Sequence, residues 1–200
     1  TKIVMFTANT PEAPKTFAEL AARLRAKPLP YGSVGPVTMG RLTTEVVLHR
    51  AGLTALHVPY KGSSESLVAV IRGDVAFASD AIAPPLPQIR SGALRPLVVA
   101  SAERLATLPD VPTLAEVGIP GVDVNVWYGL FAPPKTAPAI VKRLADELAA
   151  NNKDDDYRKR LADMQFETFD TPGGDFRGFI VKELGFWREF FQSSKLKLEN

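Results

Sequence analysis

An α/β fold built on a parallel or mixed sheet is predicted by three features of this 200-residue chain. Strand-like and helix-like segments alternate from Lys2 to Gly121, the pattern of a sheet with helices packed on it. The run Pro96-Leu97-Val98-Val99-Ala100 is apolar at successive positions, as in strands covered on both faces. Glycines at 52, 73 and 92 follow helical patterns, where a chain turns out of a helix.

The elements follow in order. Lys2–Thr7 reads as a strand. Thr16–Ala26 places Phe17, Leu20, Ala21 and Leu24 on one helical face. A short strand then leads into a small-residue loop beginning at Tyr31, and a helix runs from Thr38 to Arg50 with Gly52 as its stop. Thr54–Tyr60 is the next strand, and Ser64–Arg72 a helix burying Leu67, Val70 and Ile71. Asp74–Ser79 is a short strand, Ile82–Gly92 a proline-started helix and Leu94–Ser101 a further strand. Thr113 and Glu116 have the spacing of a capping box, which predicts a short helix ending at Gly118. Val122–Pro134 is the longest extended stretch, suited to crossing between two lobes. Helices then predominate: Ala139–Ala150, an acid-started helix from Asp154, and Asp175–Gln192. The last carries Phe176, Phe179, Ile180, Leu184, Trp187 and Phe191 on a face expected to dock on a sheet.

Composition excludes several functions. With no cysteine there is no thiol catalysis, disulfide framework or thiolate metal site. The net charge is +2, from 24 basic and 22 acidic residues that are interspersed, so no basic stripe marks a nucleic-acid partner. No apolar run approaches the ~18 residues of a membrane-spanning helix, and Lys2 is followed by too few apolar residues for a signal peptide. Two histidines eight residues apart give no metal-ligand set, and the Asp154–Asp156 run lacks the spacing of a calcium loop.

Chemistry concentrates in two loops that lead from strands into helices, where open α/β sheets hold ligands. Tyr31-Gly32-Ser33-Val34-Gly35 lacks the glycine two residues before serine that a nucleophile elbow requires, so a serine hydrolase is disfavoured. His57, within a strand, reads as a packed residue. Neither the phosphate-loop nor the dinucleotide fingerprint occurs. Anion binding by backbone remains: a helix start exposes unpaired N–H groups with partial positive charge. The candidates are Ser33, Val34, Gly35, Thr38 and Met39 in the first loop, and Lys61, Gly62 and Ser63 in the second. Asp80 is placed to accept from a ligand hydroxyl or amine, or to cap the following helix. Taken locally, the residues leave two readings open: Thr38 as part of an anion cradle, or as a helix cap alone.

Five segments together resemble one family, the substrate-binding proteins of tripartite tricarboxylate transporters, or Bug-type solute receptors. They are Tyr31–Gly35, His57–Gly62, Gly73–Asp80, Leu108–Gly121 and Trp127–Pro133, matching in order and spacing over nearly the whole chain. The resemblance implies a type II periplasmic-binding-protein-like fold with two α/β lobes around a cleft. Residues 1–8 would cross between lobes, 9–121 form the second lobe, 122–133 return across the hinge, and 134–200 contribute helices to an incomplete first lobe. It implies a periplasmic, monomeric receptor without cofactor or catalysis. Such a receptor grips a small di- or tricarboxylate with loops of both lobes and delivers it to permease subunits. A ligand-sensing domain of a regulator is the alternative reading. Two positions depart from the family pattern: Val37 stands where glycine is common and Arg41 where histidine is frequent.

Overall fold

The computed structural model describes residues 1–168, 175–194 and 196. The chain divides into two compact units, one built on Thr1–Val126 and one within Trp127–Lys195.

The first unit contains β1 (Ile3–Ala8), α1 (Phe17–Ala26), β2 (Leu29–Val34), α2 (Met39–Ala51), β3 (Ala55–Tyr60), α3 (Ser63–Arg72), β4 (Phe77–Ala81), α4 (Leu86–Arg90) and β5 (Leu94–Val99). Its five strands form one sheet in the order β3-β2-β4-β1-β5. β2 runs parallel to β3 and to β4, while β1 is antiparallel to both β4 and β5. The sheet is therefore mixed, and the α/β class follows from helices covering both of its faces.

Side-chain alternation along β1 shows how those faces are filled. Val4 and Phe6 pack in a core with Leu67, Val70 and Ala78, on the side of α3. Ile3, Met5 and Ser79 meet Thr43 and Val47 of α2 on the other side. All six residues of β1 are buried for this reason. Each such aliphatic side chain contributes about 1.5–3 kcal/mol through its removal from water.

The strand order has a consequence for position. The chain leaves β2 through α2 to β3 on one side, then leaves β3 through α3 to β4 on the other side of β2. With α2 and α3 on opposite faces, their first turns lie at the same edge, beyond the carboxyl ends of β2, β3 and β4. That edge is the topological switch point of the sheet.

The second unit contains α5 (Pro138–Asn151), α6 (Asp155–Asp163) and α7 (Asp175–Ser194), with no strand among its described residues. The aromatic face of α7 therefore meets no sheet within its unit. Phe176 and Phe179 instead pack edge-on against Trp127, with centroids 6.0 and 5.3 Å away, and Phe176 also meets Phe131. Further along, Trp187 is bracketed by Phe186, Phe190 and Phe191. Of the expected region 134–200, residues 169–174, 195 and 197–200 lie outside the described residues.

Two sequence expectations are corrected. Tyr31–Val34 is the end of β2 and not loop, because it pairs with His57–Tyr60 and, through Tyr31 and Gly32, with β4. Thr113 and Glu116 do close a capping box, with Thr113 N–H donating to Glu116 Oε2 at 2.8 Å, but only turns follow. Val122–Pro134, read as an extended stretch, carries one isolated bridge among the described residues, Asn125 to Lys2. Residues 1–8, read as a strand, contain β1, an interior strand of the first unit's sheet.

Candidate functional site

The β2–α2 corner consists of Gly35, Pro36, Val37 and Thr38. Gly35 has φ of +75°, a left-handed turn that brings the chain out of the strand and that a side chain would oppose. Its N–H donates to the carbonyl of Tyr60 at 2.9 Å, tying this corner to the end of β3. Thr38 is the N-cap of α2, its hydroxyl accepting from Arg41 N–H at 3.4 Å. Met39 opens the helix.

Gly40 shows how closely the helix start approaches β4. A Cβ there would lie 2.2 Å from the Ser79 carbonyl oxygen, so only glycine lets the first turn of α2 sit against the strand end. One turn later Thr44 donates to Ser79 Oγ at 2.8 Å. α2 is thus held in register with the residue preceding Asp80.

The β3–α3 corner is Lys61-Gly62, with Ser63 as the first residue of α3. Gly62 caps without a side chain. Glu65 reaches back to accept from the Lys61 N–H at 3.1 Å, half of a capping box. Lys61 itself is exposed. Ser63 lies beside Asp80 at the end of β4. Asp80 Oδ1 also accepts from Ala81 N–H at 2.8 Å, while Oδ2 is buried with no direct hydrogen-bond partner. Burial raises the Asp80 carboxyl above its ordinary range, and the Ser63 and Ala81 donors partly offset that rise.

The structure thus brings Val34, Gly35, Thr38, Met39, Gly62, Ser63 and Asp80 to one sheet edge. Ser33 differs from its expected role. It is 1% exposed, and its hydroxyl donates to the Gly35 carbonyl at 3.0 Å. The 2.7 Å contact with His57 Nε2 then has the ring donating to the hydroxyl. A serine nucleophile requires the reverse polarity and an approach for substrate. The pair braces the corner from below. Among the described residues no group of three or more His, Asp or Glu side chains is disposed to hold a metal ion.

Sequence reasoning passed over the layer under the corner. Arg41 is 5% exposed and donates from Nη1 to the Pro36 carbonyl at 2.5 Å. Its Nε lies 4.0 Å from Glu45 Oε1, which accepts from the Tyr31 hydroxyl at 2.5 Å. Burial, with Glu45 adjacent, raises the Tyr31 phenol well above its usual range. The i, i+4 spacing of Arg41 and Glu45 was the available signal. Nothing local indicated that both would point inward.

A family model described as the tripartite tricarboxylate transporter family receptor matches residues 2–196. The chain is 38% identical over 157 residues to a UPF0065 protein from the gbd 5' region of Cupriavidus necator, covering 78% of this chain and 47% of that protein. It is 30% identical over 166 residues to BugT of Bordetella pertussis, covering 81% and 50%. Among solved structures it is similar to R. palustris Rpa4515 with adipate, with a TM-score of 0.84, 27% identity, and 97% and 65% of the two chains covered. It is also similar to MatC of Rhodopseudomonas palustris with bound malate, with a TM-score of 0.74, 26% identity and the same coverage. The chain spans about half the length of these two curated relatives and just under two thirds of these two solved chains.

Proposed function

We propose, for a chain that belongs to the tripartite tricarboxylate transporter receptor family, that the intact protein is a periplasmic receptor for a small carboxylic acid, delivering it to a membrane permease. The observation that carries this reading is the convergence of two helix starts on one sheet edge, the first tied to the end of β3 by the Gly35–Tyr60 hydrogen bond. A helix start offers unpaired amides and about half a positive charge, a fit for a carboxylate that needs no basic side chain.

In this reading the amides of Thr38 and Met39, with the Thr38 hydroxyl, hold one carboxylate, while Val34 and Gly35, whose N–H is bonded to Tyr60, shape the corner beside it. Lys61, Gly62 and Ser63 lie on its other side, and Ser33 and Asp80 support the two corners from beneath. The relatives seen with adipate and malate make a short aliphatic dicarboxylate the ligand class we assign. Residues 9–121 would form one lobe, and 134–200 would add helices to a second. The segments 1–8 and 122–133 would join them. Closure of the lobes over the acid would shift an open–closed equilibrium and present a changed surface to the permease, with the receptor acting as a monomer.

The test is a thermal-shift and calorimetric panel of organic acids on the full-length protein. A dicarboxylate at a hundred times its Kd should stabilise it by about 2.7 kcal/mol. A panel of mono-, di- and tricarboxylates with no shift and no heat would overturn the receptor reading.

A further inference from the structure

Arg41 stands in an unfavourable place for a cation. It is the third residue of α2, where the helix dipole is positive, and it is almost fully buried. Its compensation is specific. Nη1 donates to the Pro36 carbonyl, and Glu45 lies one turn on as counter-charge. Glu45 in turn accepts from Tyr31, which is fully buried between His57 and Phe77, with ring centroids 5.1 and 5.5 Å away. A chain of polar contacts therefore runs from the middle of the sheet to one carbonyl of the corner. Arg41 Nε is buried as well.

The carbonyl it holds belongs to the same peptide unit as the Val37 N–H. That unit is planar and trans, so its C=O and N–H point in opposite directions. Fixing the Pro36 carbonyl inward on Arg41 aims the Val37 N–H away from it. Val37 is 56% exposed, and among the described residues its N–H meets no hydrogen-bond acceptor. We propose that Arg41 is a positioning residue for the carboxylate site: by holding the Pro36 carbonyl it orients the Val37 amide as a ligand donor. This rests on the receptor reading above. It assigns to a buried cation the orientation of a neutral donor, and not a direct charge contact.

The experiment compares wild type, R41Q and R41K in the full-length protein, with two readouts. The first needs no ligand: amide exchange at Gly35, whose N–H is bonded to Tyr60, against the interior strand β1. R41Q should lower Gly35 protection about tenfold and leave β1 unchanged, while R41K, which keeps one donor to Pro36, restores most of it. The second is affinity for adipate, malate and citrate. R41Q should weaken all three by the same factor, about tenfold, with R41K intermediate. Unchanged Gly35 protection in a folded R41Q, or a loss that grows with ligand charge, would overturn the proposal. Should R41Q not fold, R41M, which keeps the apolar stem and removes every donor, is read by the same criteria, and wild-type values in both readouts would overturn the proposal. If no acid binds wild type, the receptor reading fails while the exchange comparison still decides whether Arg41 holds the corner.

Discussion

The β2–α2 and β3–α3 corners begin from similar material, small polar residues leading into a helix, and they are held in different ways. At the first, Thr38 caps the helix with its hydroxyl and a buried cation, Arg41, supports the loop from below. At the second, Gly62 caps without a side chain, Glu65 folds back on the Lys61 amide, and a buried acid, Asp80, lies under Ser63. A basic group beneath one helix start and an acidic group beneath the other make the two unequal toward an anion. A ligand carboxylate is expected at the α2 side, with the Asp80 side better matched to a hydroxyl or a protonated group.

The largest difference between the corners should come from their glycines. Gly40→Ala places a methyl 2.2 Å from the Ser79 carbonyl and should cost about 3 kcal/mol by urea unfolding of the intact protein, displacing the start of α2. Gly62→Ala meets nothing within 4 Å at φ of −165° and should change stability by less than about 0.5 kcal/mol. Equal effects would mean that the close approach of α2 to β4 is not what holds the first corner.

Thr38→Val should weaken dicarboxylate binding by about 1–2 kcal/mol, the value of a hydrogen bond to a charged group, as read by calorimetry. Ser63→Ala should lose less, because that hydroxyl lies beside the Asp80 carboxyl and not beneath a cationic group. Unchanged affinity in Thr38→Val would make that residue a helix cap alone.

The buried acid separates the corners through pH. The Asp80 carboxyl is raised in the folded protein, so its contribution to stability is complete below the ordinary carboxylate pKa. That contribution is lost as pH rises through the raised value. Asp80→Asn, which keeps an acceptor for Ala81, should remove this decline from the unfolding profile. A decline that persists in the variant would assign it to another group.

The smallest effect should lie far from both corners. Arg104 and the Thr113 amide hold the Glu116 carboxyl down at about 2, so its contribution is present above the ordinary glutamate value and fades as pH falls toward 2. The pair is exposed, and Glu116→Gln should flatten only a shallow acid slope while leaving binding unchanged.

Much of the frame was legible because local rules and tertiary structure agree. Thr16 and Thr38 cap the helices they were expected to start, and Gly52 and Gly73 end theirs with left-handed φ. Legibility failed where pairing overrode propensity. Tyr31–Val34 looks like loop, yet strands on both sides draw it into the sheet. At the site, the sheet edge and its helix starts followed from sequence order. The supporting layer did not. Ser33 on His57, Ser63 on Asp80 and Arg41 on Pro36 depend on strand register and on which way one side chain turns, neither of which has a local signature.

The central claim is that backbone amides of the β2–α2 corner hold the acid. It is tested most directly by titrating adipate or malate into the 15N-labelled full-length protein and following individual amide resonances. The account predicts that Val37, Thr38 and Met39 shift first and furthest, saturating with the calorimetric Kd. Saturable binding that leaves those three amides unmoved would contradict it.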